Sequence, residues 1–182
     1  MVIQTRSVTP EAFDRFVLLP ENRDRNFELI AGEIVEVVSN SYSSLVSMLL
    51  GGRVSVFVFD RGLGWVTGAD GGYWVGDERY IPDAAYISKA RQPQPSHDAY
   101  NPNAPDLAIV VISPTDDQHD LRFKLVNYLN AGTTLWIVNP PLKTVEVYIP
   151  DKPPRVLTVN DTLDGGAVLP GFTLPVKDVF PE

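Results

Sequence analysis

Pro105-Asp106-Leu107-Ala108-Ile109-Val110-Val111-Ile112, continuing through Ser113-Pro114 into a periodic segment that carries Lys124, is the stretch that decides the fold. It is apolar at successive positions, as a central strand covered on both faces must be. Ile81-Pro82-Asp83-Ala84-Ala85-Tyr86-Ile87 repeats the same Pro-Asp lead into an apolar strand. After the longer strand the period changes. Leu121, Leu125 and Leu129 make a helical stripe, Thr115 with Gln118 has capping-box spacing, Asp116 and Asp117 fall in the first turn, and Gly132 suits the C-terminal cap. Leu135-Trp136-Ile137-Val138 then reads as another buried strand, ended by Asn139-Pro140-Pro141.

Working outward, residues 8 to 18 predict a short helix with Thr9 as N-cap and Pro10 in its first turn. Residues 27 to 37 predict a hairpin turning at Ala31-Gly32. Leu45, Val46, Met48, Leu49, Val54, Val56 and Phe57 mark a buried second helix, weakened by Gly51-Gly52. Residues 64 to 68 and 72 to 76 read as strands punctuated by glycines, followed by a polar turn at Asp77-Glu78-Arg79. Residues 88 to 103, rich in Pro, Gln, Ser and Asn, read as an exposed loop. Thr144 to Ile149 and Arg155 to Val159 predict a strand pair across Pro150 to Pro154, and an apolar tail runs from Gly171 to Phe180. These elements predict one mixed α/β domain over residues 1–182, a sheet with helices and added hairpins.

Composition narrows the function. Cysteine is absent, which excludes disulfides, thiolate metal sites and a cysteine nucleophile, and fits the cytoplasm. The longest apolar runs, Leu107–Ile112 and Val54–Phe59, fall well short of the roughly 20 residues of a membrane span, and the N-terminus lacks the regions of a signal peptide. The net charge of −8 weighs against a dedicated nucleic-acid binder, which carries a basic face, but suits an enzyme that holds a divalent cation.

One constellation can carry chemistry. Alternate residues of a strand share a face, so Asp106, Ala108, Val110 and Ile112 point one way. Residues four apart share a helix face, aligning Asp120, Lys124 and Tyr128. If the two Pro-Asp strands are neighbours, Asp83, position 110 and Lys124 converge. An acid, acid and lysine cluster suits phosphodiester hydrolysis: carboxylates hold Mg²⁺, which polarises the phosphate and activates water, and the lysine stabilises developing charge.

At this point the chain resembles the Uma-type restriction endonucleases of the PD-(D/E)XK nuclease superfamily. The resemblance rests on Phe27–Glu36, Pro82–Ile87, Pro105–Pro114, Asp120 through Lys124 to Tyr128, Ala131-Gly132 with Trp136–Val138, and Leu169-Pro170-Gly171-Phe172, in that order along nearly the whole chain. It implies a restriction-endonuclease-like mixed sheet flanked by helices, a Mg²⁺-dependent hydrolase acting on DNA, and, by analogy, a homodimer. It also implies Asp83 as metal ligand, Glu28 as a second ligand or orienting group, and Lys124 as electrostatic stabiliser. One position departs from the pattern: the strand acid, usually a glutamate in Pro-Asp-Leu-x-x-Glu, is Val110 here.

Three readings of Val110 follow. The site is degenerate and the fold serves as a binding or interaction module; or another carboxylate substitutes, from Asp106, Asp116, Asp117 or Asp120; or Glu28 and Asp83 alone hold a weak metal. Hydrolysis of another phosphorylated substrate is a further class. Each residue also has a plainer reading. Asp83 and Asp106 can stabilise turns after proline, Lys124 can pair with Asp120 on the helix surface, and Glu33 reads as a solvated hairpin residue. His97 and His119 are too far apart in sequence to suggest a metal pair, and Tyr42, Ser43 and Ser44 read as polar loop residues.

Overall fold

The protein is described by a computed structural model covering residues 7–113 and 116–181. Its first helix, α1 (Pro10–Val17), is capped as the sequence predicts: Thr9 Oγ1 accepts the Ala12 N–H. β1 (Phe27–Ile30) and β2 (Glu33–Glu36) form the hairpin, with Ala31 and Gly32 at φ 51° and 79°, the left-handed pair a tight hairpin turn needs. α2 (Ser41–Asp60) follows. Then come β3 (Gly64–Thr67), β4 (Gly72–Val75), β5 (Glu78–Tyr80), β6 (Ala84–Ser88), β7 (Tyr100–Asn101), β8 (Leu107–Val111) and α3 (Gln118–Asn130). The chain ends in β9 (Thr134–Asn139), β10 (Thr144–Tyr148), β11 (Arg155–Leu157), β12 (Thr162–Asp164) and β13 (Thr173–Pro175).

A six-stranded sheet in the order β11-β10-β9-β8-β6-β3 carries the core. Its neighbours are antiparallel except β8 and β9, which are parallel and joined through α3. A five-stranded sheet, β2-β1-β5-β4-β7, lies apart from it in pairing, and β12 and β13 make a small ribbon.

The pleat of β8 sorts its side chains. Leu107, Ile109 and Val111 turn to one core with Val46, Leu50, Val54 and Val58 of α2. Ala108 and Val110 turn to the other, with Tyr128 of α3 and with Ile30, Tyr73 and Tyr80 of the five-stranded sheet. All five β8 residues are buried, which explains the apolar run that marks this strand in sequence. A third cluster packs Phe13 of α1 on Phe27 and Leu29.

Four expectations are corrected. The polar turn is Gly76-Asp77; Glu78 and Arg79 belong to β5, where Arg79 is 3% exposed, paired with Asp14 at 2.9 Å and stacked on Trp74. The segment 88–103 is not wholly an exposed loop, because Tyr100 and Asn101 pair in parallel with β4, and Gln92 is buried. Helix α3 is capped by Asp117, whose Oδ1 accepts the His119 N–H at 2.6 Å; Thr115, the expected cap, lies outside the described residues. Finally, the apolar runs of α2, each too short for a membrane span, join into one 20-residue helix long and apolar enough to cross a membrane by length and composition. Its inner face is packed on the sheet.

Candidate active site

One cavity of about 390 Å³ gathers residues from β1, the start of β6, β8 and α3. Glu28 reaches it because β1 alternates: Phe27 and Leu29 face α1, leaving Glu28 and Ile30 on the other side. Asp83 precedes β6 by one residue, and the register Ala84↔Ile109 sets it opposite Val110. Lys124 and Tyr128 occupy the inner face of α3, one turn apart.

The hydrogen bonds fix these groups tightly. Glu28 is 4% exposed. Its Oε1 accepts the Ile81 N–H at 2.8 Å, and its Oε2 accepts from Lys124 Nζ in a direct ion pair. Asp83 Oδ2 accepts the Val111 N–H at 2.7 Å, while Ser47 Oγ of α2 donates to the Asp83 carbonyl at 3.0 Å. The other Asp83 oxygen receives no hydrogen bond from the described residues. Burial, opposed by the Val111 amide and by Lys124, pushes the Asp83 carboxyl up to about 6, with Asp116 and Glu28 adding to the rise.

Glu28, Asp83 and Lys124 therefore meet around position 110, where the side chain is an apolar Val110. The rival partner for Lys124, Asp120, does not hold it; Glu28 does. Of the substitute carboxylates, Asp106 is taken at the far end of β8, where it accepts the Ser88 N–H at 2.7 Å and pairs with Arg91 at 3.1 Å. That is the turn-stabilising role. Asp116 spends both oxygens on Ser113, at 2.7 and 3.0 Å. Asp117 caps α3, and Asp120 lines the cavity with a 3.9 Å approach to His119. Glu33 and both histidines are exposed. Ser43, read from sequence as a loop residue, is a buried part of α2 and lines the cavity.

Mg²⁺ requires several well-placed oxygens in near-octahedral array. Among the described residues no group of three or more His, Asp or Glu side chains is placed to hold a metal ion. Glu28 and Asp116 have both oxygens engaged and position 110 offers none, so the residues present do not fit a full Mg²⁺ site. Tyr128 adds a polar group that sequence reasoning aligned with Lys124 but gave no role: its hydroxyl is buried at the cavity without a hydrogen-bond partner among the described residues.

The raised Asp83 carboxyl carries a stability cost whose sign is set by linkage. The folded chain binds this proton more tightly than the unfolded chain, whose carboxyl keeps its ordinary value of 3.8. Burial of Asp83 thus costs nothing well below pH 4, and the cost grows as pH rises through about 6, to about 3 kcal/mol at neutral pH. Asp83→Asn keeps an acceptor for Val111 and removes the charge. In metal-free buffer it is expected to gain about 1–3 kcal/mol at pH 7.5 and little at pH 4, read from urea midpoints. An equal gain at both values overturns the assignment.

No curated protein matches the chain. A crystal structure from Anabaena variabilis ATCC 29413, described as a "putative nuclease belonging to DUF820", superimposes with a TM-score of 0.82 at 22% identity, covering 95% of this chain and 97% of that one. At that identity the likeness shows the fold, which is restriction-endonuclease-like. The profile of the Uma2 family, described as "Putative restriction endonuclease", matches residues 12–177, the span that holds Glu28, Asp83, Val110 and Lys124. With that match spanning nearly the whole chain, the chain belongs to the Uma2 family.

Proposed function

We propose that this chain carries an endonuclease centre for DNA phosphodiester bonds, impaired at Val110. The observation that supports it is the meeting of Asp83, Glu28 and Lys124 in one cavity, with Val110 at the place a second strand acid would take. Six carboxylates line that cavity against one lysine, so a phosphate is repelled from it unless a cation offsets the charge. An ion held there would rest on the Asp83 oxygen that no described residue bonds, and would supply that charge and polarise a water. The chain's own contribution is to present the Asp83 oxygen that no described residue bonds and to hold Lys124 with Glu28.

The second reading is a non-catalytic binding module on the same fold, favoured by the apolar side chain at position 110 and the incomplete donor set. Titration calorimetry with Mn²⁺ and Mg²⁺, run beside a supercoiled-plasmid nicking assay, separates the two. The endonuclease reading expects weak heats only at millimolar metal and slow nicking that Asp83→Asn abolishes while the fold is kept. Neither heat nor nicking at millimolar metal leaves the binding module.

A further inference from the structure

α2 is apolar on both sides. Its inner stripe, Val46, Leu50, Val54 and Val58, is buried on the sheet. Its outer stripe is Leu45, Met48, Gly52, Val56 and Phe59, whose four large side chains are 46%, 70%, 61% and 83% exposed. At 3.6 residues per turn these five positions fall within about 40° of a line opposite the inner stripe. The only charged residues of the helix, Arg53 and Asp60, lie to one side of that line. A helix apolar all round is normally buried all round, so the outer stripe calls for a partner.

The stripe itself points to which partner. Its spacing is symmetric about Gly52: Leu45 and Phe59 lie seven residues on either side, Met48 and Val56 four. Two antiparallel copies of α2 crossing at Gly52 would set Leu45 of each against Phe59 of the other, and Met48 against Val56, the self-complementary pattern of a two-fold interface. The missing side chain at Gly52 lets the axes approach at the crossing point. Each copy offers roughly 500 Å² of exposed surface on these residues, so a pair would bury up to about 1,000 Å² through the stripe, near the lower bound for a specific interface. A bilayer surface fits less well, because the stripe has no flanking basic cluster and the chain carries a net charge of −8.

We propose that α2 is a dimerisation helix, pairing two copies of this chain antiparallel across Gly52. The same helix lines the cavity through Ser43 and holds the Asp83 carbonyl through Ser47, so pairing would set two sites in a fixed relation.

Sedimentation of the full chain at micromolar concentration is expected to show a dimer. Met48→Glu combined with Phe59→Glu should weaken self-association by at least about tenfold, the scale of losing large apolar anchors at an interface, with circular dichroism unchanged. The chain has no cysteine, so introduced thiols report orientation. A Cβ at position 52 meets nothing nearer than Met48 Cε at 3.7 Å; Gly52→Cys should therefore fold and oxidise to a linked dimer. Leu45→Cys should link to Phe59→Cys in a mixture and not to itself. A monomeric wild type, a dimer indifferent to the paired glutamates, or self-linking of Leu45→Cys overturns the proposal. So does a wild type that pellets with phosphatidylcholine–phosphatidylglycerol vesicles through this stripe instead of dimerising. Should the paired glutamates prevent folding, the cysteine pattern decides alone.

Discussion

Val110→Glu is expected to create a metal-dependent rise in thermal stability and a metal-dependent nuclease where the wild type has weak or no activity. Val110 is 9% exposed and faces the cavity. Directly opposed residues of an antiparallel pair have Cβ atoms about 5 Å apart, so the new carboxylate would stand beside Asp83. Without metal two such carboxylates repel, and Asp83 is already hard to ionise. The metal-free variant is therefore expected to be less stable than wild type by about 2–4 kcal/mol, the range for burying an ill-compensated charge. A divalent ion reverses the balance. At a hundredfold excess over its Kd it returns about 2.7 kcal/mol, which for a chain of this size raises Tm by about 5–10 °C. Val110→Gln, which adds bulk without charge, should show neither effect, and Asp83→Asn in the Val110→Glu background should abolish both. A folded Val110→Glu protein whose Tm ignores Mg²⁺ and Mn²⁺ would show that position 110 is not the only missing part.

Lys124→Ala should cost about 3–5 kcal/mol of stability. Glu28 is almost fully buried, and its charge is balanced by Lys124 on one oxygen and the Ile81 amide on the other. Taking away one member of a buried pair strands the other, and the loss is that of an uncompensated charge. Adding Glu28→Gln should recover much of the deficit, because glutamine still accepts from Ile81 without a charge to balance. Denaturant melts of the four proteins in this cycle measure the coupling. A loss under about 1 kcal/mol in Lys124→Ala would mean that the pair is solvated, as exposed ion pairs are. The cycle also bears on any activity assay, since a rate lost in Lys124→Ala must be separated from folding lost in the same variant.

What the sequence disclosed followed the range of each interaction. β8 was legible because a strand buried on both faces must be apolar throughout, and the hairpin because Ala31-Gly32 is a local turn signal. The face of Val110 follows from strand periodicity, whereas the acid missing there is implied only by the family resemblance. Partners did not. Lys124 was placed on the inner face of α3, but its choice of Glu28 over the nearby Asp120 depends on how a distant strand packs. Arg79 read as a turn residue because its polarity is satisfied by Asp14, 65 positions away, and by the face of Trp74. Tyr100 and Asn101 form a two-residue strand that only its neighbour β4 defines. The cap of α3 is Asp117 and not Thr115, and the sequence alone does not choose between them because both residue types accept a first-turn amide.

The ion pair between Glu28 and Lys124 closes a loop of 96 residues. Bringing such distant groups together costs chain entropy before the contact returns any free energy. During synthesis, β1 and its hairpin partner leave the ribosome long before α3 exists. Glu28 must wait with its charge hydrated, and it can enter the interior only when Lys124 arrives to accompany it. The cavity is thus completed late in folding, and a chain released before α3 has every residue of the first hairpin but no pocket.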